Sequence, residues 1–250
     1  MLHQLRADID AVLSRDPAAR SRLQVFLFYP GLKAVRWHRR AHRAYARGHM
    51  LVAQFWANHA RHRTGIEIHP GAVIGSGLFI DHGDGVVIGE TTVIGDNVTI
   101  YQGATLGGTG KHTGKRHPTI GNGVVVGAGA KVLGPITLGD HVKVGAGAIV
   151  LKDVPANCTV VGNPGRIVRK DRPDEGVDLE HGNLPDPMLE RMEALYRRLT
   201  HLEHVLCDYA AVLGCDTCGG NRCPTCLLKE QKETQNEMAK EDASHAHLQQ

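Results

Sequence analysis

Three groups of residues in this 250-residue sequence combine reactive side chains with a spacing that concentrates them. The first is Asp81-His82-Gly83-Asp84-Gly85, a histidine set directly after an acid and before a Gly-Asp-Gly turn. An imidazole titrates near neutrality and suits general acid–base work. The second runs from Gly107 to Pro118; it is glycine-rich and basic and carries His112 and His117. The third is the C-x2-C-x4-C-x2-C pattern of Cys215, Cys218, Cys223 and Cys226. Two such pairs can give four thiolates to a tetrahedral zinc or an iron–sulfur cluster. Two redox-active pairs, or an unligated tail, fit the same spacing.

What positions the first two groups is an internal repeat. An aliphatic residue recurs every six positions: Ile68, Ile74, Ile80, then Ile88, Ile94, Ile100, Leu106, then Ile120, Val126, Val132, Leu138, Val144 and Val150. Each hexad reads as a short strand plus a turn, with three hexads closing one triangular coil and the aliphatics stacked inside. Turn positions such as Asp96-Asn97, Gly121-Asn122 and Asp140 suit tight or left-handed backbone. The phase slips twice, by two residues before Ile88 and by eight before Ile120. Extra residues in a solenoid must bulge out as loops, and both slips carry histidines. One slip follows the third hexad and the other the seventh, so they leave different corners of the triangle. Parallel prisms around a three-fold axis would bring one chain's first loop to a neighbour's second, and a trimer is therefore expected.

These residues carry a resemblance. Glu67-Ile-His-Pro-Gly71, Ile80-Asp-His-Gly-Asp-Gly-Val-Val-Ile-Gly-Glu90, Leu106-Gly-Gly-Thr-Gly110, Lys115-Arg-His-Pro118 and Arg15-Asp16-Pro17-Ala18 together resemble the serine O-acetyltransferases of the hexapeptide-repeat family. The likeness covers residues 1 to about 170 and implies a mainly β solenoid, a left-handed parallel β-helix. That hand departs from the usual right-handed crossover rule and comes from the resemblance alone. It also implies acetyl transfer from acetyl-CoA to the hydroxyl of L-serine by direct attack, without an acyl-enzyme. His82 matches the general base, Glu67 the carboxylate that holds its other nitrogen, and His117 a second site histidine. Familiar members carry Asp where Glu67 stands, one methylene shorter. Arg116 matches the partner of the serine carboxylate, and Asp16 and Asp81 match acids around the α-ammonium. For CoA the resemblance points to Gly108, Thr109, Ala128 and Ala146, with Lys143 and Arg166 as phosphate partners or plain surface charges. Cys158, far from both loops in sequence, is not expected to be a nucleophile.

Around this body the texture changes. Residues 1–65 read as a helical cap, 66–170 as the β-helix, 171–187 as a polar linker and 188–213 as a helix with a heptad seam. That seam runs Met188, Met192, Leu195, Leu199, Leu202, Leu206, Tyr209, Leu213 and needs a partner helix, another copy or the cap. The four-cysteine motif fills 214–228, where a metal would be structural or regulatory, and a polar, disordered tail is expected at 229–250. The run Arg36-Trp37-His38-Arg39-Arg40 reads as the solvated face of a helix, and the stretch from Lys152 to Arg169 is expected to leave the prism through Pro155 and Pro164.

A net charge of +3 is too small to argue for nucleic acid or membrane as the main partner. The N-terminus has no apolar leader segment, and cysteines crowded at one end do not make a disulfide framework, so a cytoplasmic protein is expected. A homotrimer or a dimer of trimers fits the repeat. Relatives that dock into cysteine synthase do so through a terminal isoleucine; this sequence ends Leu248-Gln249-Gln250, which does not support that complex. Cysteine feedback inhibition is left open. Two other activities fit the fold: an acetyltransferase acting on a sugar or other hydroxyl, and a hexapeptide-repeat carbonic anhydrase. The second needs a third converging histidine that the sequence does not make evident.

Overall fold

In the computed structural model, which describes residues 2–110, 113–170 and 187–212, the six-residue period becomes a stack of very short strands. Four helices come first: α1 (Leu2–Arg15), α2 (Arg22–Phe28), α3 (Pro30–Ala46) and α4 (Met50–Thr64). The first coil then holds β1 (Glu67–Ile68), β2 (Val73–Ile74) and β3 (Phe79–Ile80), and the second β4 (Val87–Ile88), β5 (Val93–Ile94) and β6 (Thr99–Ile100). The third holds β7 (Thr105–Gly107), β8 (Thr119–Ile120) and β9 (Val125–Val126), and the fourth β10 (Lys131–Leu133), β11 (Thr137–Leu138) and β12 (Lys143–Val144). A fifth coil contains β13 (Ile149–Val150) and β14 (Cys158–Val161), after which β15 (Arg166–Lys170) folds back antiparallel on β14. The result is a left-handed parallel β-helix with three faces. Face one is β1-β4-β7-β10-β13, face two β2-β5-β8-β11, and face three β3-β6-β9-β12-β14 with β15 at its edge.

The register explains why the period shows in the sequence. On face one Ile68, Ile88, Leu106, Val132 and Val150 stack inward, none more than 5% exposed. Such a narrow prism fills with aliphatic side chains and has no room for large rings. The step from Val87 to Thr105 takes eighteen residues, that from Glu67 to Val87 twenty, and that from Thr105 to Lys131 twenty-six. Both phase slips are therefore loops, one between faces three and one and the other between faces one and two. At the remaining corner the predicted turn residues form a ladder. The Asp96 Oδ1 accepts from Ser76 N at 2.6 Å, Asn122 Oδ1 from Asp96 N at 2.8 Å, and Asp140 Oδ1 from Asn122 N at 2.6 Å.

Helices α1 to α3 cover the outside of face three. Phe79 points outward there and is buried with Val12, Val25 and Leu32. Arg15 fastens α1 to the coils, donating to the carbonyls of Gly77 and Val98, to Thr99 Oγ1 and to Asn97 Oδ1. Asp8, fully buried, takes the Arg39 guanidinium and the Gly77 N–H. Breaking one side of such a buried pair costs several kcal/mol, about 3–5, because a lone charge is left behind.

Two expectations change. The run Arg36 to Arg40 is not a solvated face: Arg36 lies over Phe26, Trp37 stacks on Trp56, His38 is buried and Arg39 pairs with Asp8. Only Arg40 is exposed, and it covers Trp37. Long cationic side chains here pack their stems and planes against the cap interior, which a charge count does not reveal. Nor does the chain leave the prism at Pro155. Val154 bridges to Leu138 and β14 pairs parallel with β12, so the fifth coil closes before the turn at 162–165 exits.

The helices and coils form one compact unit; α5 (Pro187–Val212) belongs to a second. On α5 the seam residues Met192, Leu195, Leu199 and Leu202 are all more than half exposed. The polar linker at 171–186, the four-cysteine motif and the tail lie outside the described residues. None of the described helices is long and apolar enough to cross a membrane.

Candidate functional site

The first loop sits where face three turns into face one. His82 itself occupies the left-handed region with φ 55°, an uncommon conformation for a residue with a side chain. It projects the imidazole outward: His82 is exposed and its ring hydrogen-bonds to none of the described residues. Asp81 beside it is half-buried. The α1–α2 turn delivers Asp16 to this corner. Its Oδ1 accepts from Ala18 N at 2.8 Å, and its Oδ2 accepts from Tyr29 OH at 2.6 Å. Burial, that hydrogen bond and the charges of Asp16 and Asp81 push the Tyr29 hydroxyl up to about 12. Burial and Asp81 raise Tyr101 as well. Asp16, Tyr29, Asp81, Tyr101 and His82 thus form an acidic corner with one free imidazole.

The second loop sits where face one turns into face two, and here the side chains are tightly held. Arg116 pairs with Glu90 Oε2, while Tyr45 of α3 donates to Glu90 Oε1 at 3.1 Å. The guanidinium holds the Glu90 carboxyl below its ordinary range. His117 is 8% exposed and rests on Thr91 through both its backbone and its ring. Burial first, then the Arg116 charge, lower its proton affinity. His69, two coils below His117, meets the Tyr45 ring edge-on and feels the charges of Glu90, Arg116 and Glu67. A Cβ on Gly89 would stand 1.9 Å from the His117 ring, so only glycine lets the imidazole lie against this turn.

Glu67 lies on face one, half-exposed, and pairs with Arg61 of α4 at 3.3 Å. No hydrogen bond joins it to His82 within the chain. Between α4 and the first coil a cavity of about 420 Å³ is lined by Leu51, Phe55, Arg61, Glu67 and His69. The residues expected at CoA divide between corners. Gly108 and Thr109 belong to the second loop, and Thr109 N donates to Arg116 O at 3.3 Å. Ala128 and Ala146 lie at the corner of the first loop, on the third and fourth coils, with Gly147 N donating to Ala128 O at 2.8 Å. Lys143 is half-buried on β12 and Arg166 exposed on β15. Cys158 is buried in β14. Cys215, Cys218, Cys223 and Cys226, like His112, lie outside the described residues. No cluster of metal-binding side chains occurs among the described residues.

Sequence reading missed Tyr29, Tyr45, His69, Glu90, Thr91 and Tyr101 as parts of these corners. Glu90 and Thr91 had a usable signal: they close the hexad that follows the first loop, at the turn on which the second loop must land.

Comparison with known proteins joins these observations. Residues 1–36 match the family "Serine acetyltransferase, N-terminal", and residues 117–152 match "Bacterial transferase hexapeptide (six repeats)". A serine acetyltransferase of Staphylococcus epidermidis is 53% identical over 199 residues, 80% of this chain and 93% of that protein. One from Synechocystis is 60% identical over 136 residues, 54% of this chain; the chain spans only about half of that relative, 55%. Among solved structures, Brucella abortus serine acetyltransferase in complex with coenzyme A superposes with TM-score 0.67 and 47% identity, covering 68% of each chain. The Neisseria gonorrhoeae enzyme in complex with serine superposes with TM-score 0.65 and 43% identity, covering 67% of this chain and 69% of that one. By its repeats, its two loops and these matches, the chain belongs to the serine acetyltransferase family.

Proposed function

We propose that this chain transfers the acetyl group of acetyl-CoA to the hydroxyl of L-serine, the first step of cysteine biosynthesis, at sites completed between copies of a homotrimer. The observation that carries the reading is the division of labour between two corners. One presents a free imidazole among acids; the other presents a held cation and a buried histidine. Neither alone has what acyl transfer to an amino acid needs, and three-fold packing of parallel prisms sets one against the other. Serine and coenzyme A bound to relatives of the same family support the choice of substrates.

In this mechanism Asp16 and Asp81 take the α-ammonium and Arg116 the carboxylate of serine. His82 removes the hydroxyl proton as the oxygen attacks the thioester carbonyl. Glu67, paired here with Arg61, is the carboxylate assigned to orient His82 and stabilise its imidazolium, which requires it to exchange that partner. Backbone N–H groups of the glycine loop face the developing oxyanion. The C–S bond then breaks, and the proton on His82 passes to the leaving thiolate, giving O-acetylserine and CoA. Gly108, Thr109, Ala128 and Ala146 line the path of the pantetheine arm, with Lys143 and Arg166 toward its phosphates. A cytoplasmic location fits an intracellular co-substrate. Metal at the four cysteines is a separate part of this reading, decided by elemental analysis of the purified full chain.

The test is serine-dependent CoA release from acetyl-CoA by wild type and His82→Ala. A fall of ~10²-fold or more in the variant is expected. An active wild type whose variant keeps its rate would remove His82 from the mechanism; a folded trimer without serine-dependent release would overturn the substrate and point to other hydroxyl acceptors.

A further inference from the structure

We infer that Thr91 is a positioning residue that locks His117 in its neutral Nε2–H tautomer, making His117 a hydrogen-bond donor in the reaction and leaving His82 as its proton carrier. The inference rests on the reading of this corner as half of the acyl-transfer site. It starts from donor counting. The Thr91 backbone N–H can only donate, and it points at His117 Nδ1 at 3.2 Å. The Thr91 hydroxyl oxygen lies 3.0 Å from the same nitrogen. That oxygen already accepts from the backbone N–H of Arg116 and of His117, each at 3.1 Å. Its remaining hydrogen is therefore free to go to Nδ1. Two donors converging on one ring nitrogen require a lone pair there, so the ring proton sits on Nε2.

The same arrangement opposes a second proton. Protonating Nδ1 would set an N–H against a fixed backbone N–H in a site nearly closed to water. Burial first, then the Arg116 charge, lower the imidazole's proton affinity; His69 and Lys115 act in the same direction, and the Glu90 carboxylate pulls the other way without reversing it. Two glycines give the Nε2 edge its space. A Cβ on Gly89 would lie 2.1 Å from Nε2, and one on Gly108 3.0 Å from it. The N–H is thus presented beside the glycine loop, where a substrate carboxylate or developing oxyanion can accept it. Thr91 does more than seat the ring: its carbonyl also takes Lys115 Nζ at 2.7 Å, so one turn residue holds three consecutive residues of the second loop.

The experiment compares the full chain with His117→Gln, His117→Ala, Thr91→Val and Thr91→Ser. Glutamine places an N–H near the Nε2 position but cannot carry a proton between groups. Activity of His117→Gln within about 10-fold of wild type, with His117→Ala down by ~10²-fold, is expected for a donor. Thr91→Val should lower kcat/KM about 10-fold and bring a second ionisation into the acid limb of its pH profile; Thr91→Ser should restore both. Selective ¹⁵N-histidine spectra should show the Nε2–H tautomer for His117 in wild type, whatever the activity. An Nδ1–H tautomer, a glutamine variant as inactive as the alanine, or a Thr91→Val profile matching wild type would overturn the inference. A wild type with the expected tautomer but no serine-dependent CoA release would instead count against the proposed substrate.

Discussion

The two loop corners of one prism are built on opposite plans. At the first, His82 stands exposed on left-handed backbone with its ring unbound among the described residues. At the second, Arg116 and His117 are fixed by Glu90, Thr91 and Tyr45, three residues from two other elements. On the proposed reading, the difference follows from what each group must do. A base has to take and release a proton within one turnover, so no permanent partner can occupy its lone pair. Groups that only recognise charge work best when already aimed, because ordering them at the moment of binding costs free energy.

The sharpest way to break this comparison is subunit mixing. His82→Ala and His117→Ala chains, each nearly inactive alone, should regain about a quarter of wild-type activity when refolded together in equal amounts, because random three-fold pairing rebuilds one site in about four. No recovery in mixed trimers would mean that both corners serve a site within one chain. Next in size is Gly89→Ala. The added methyl must displace the His117 ring, and misplacement by about 1 Å in such a site costs on the order of 10²-fold in kcat/KM. A wild-type rate would show that the second corner tolerates the looseness assigned only to the first. Tyr45→Phe is gentler. It removes one hydrogen bond to Glu90, worth about 1 kcal/mol, so the KM for serine should rise roughly five-fold with kcat nearly unchanged; a change confined to kcat would argue against Tyr45 acting through Arg116.

The remaining effect is on stability, not on rate, and concerns acid. His38 lies under the second corner, next to His42, whose Nδ1 bonds Pro70 O at 2.8 Å. Burial first, then the His42 charge, lower His38 to about 3 from its ordinary 6.5. The unfolded chain therefore binds this proton first. The stabilising contribution is complete above about pH 6.5 and is lost as pH falls toward 3, at roughly 1 kcal/mol per pH unit. Urea midpoints measured from pH 7 to 5 should fall less steeply in His38→Asn than in wild type. Equal slopes would remove His38 from the account.

Much of this was legible before any coordinates. The six-residue period, its two slips and the aspartate and asparagine turns require a stacked triangular coil with two protruding loops, because a narrow prism tolerates only aliphatics inside and extra residues only at corners. The periodicity also separated the loops onto different corners, and with that the two groups of residues proposed to share a site. The wrong expectations share one cause. The Arg36–Arg40 run and Pro155 were read from local character, while their fate depended on what packs beside them: the face of α4 against Trp37, the Asp8 carboxylate against Arg39, and the fifth coil under Val154.

Sequence alone determined the solenoid and the identity of His82, Arg116 and His117 as residues worth attention, since repeat phase and motif are properties of a single chain read in order. Only the tertiary structure decided how those groups are held. Stacking brings Thr91 beside His117 across 26 residues and Glu90 beside Arg116 across the same interval, and docking of α3 adds Tyr45 from 45 residues away. Hydrogen-bond direction, and hence which nitrogen of His117 carries its proton, depends on which donors converge there, and that is fixed by geometry in three dimensions.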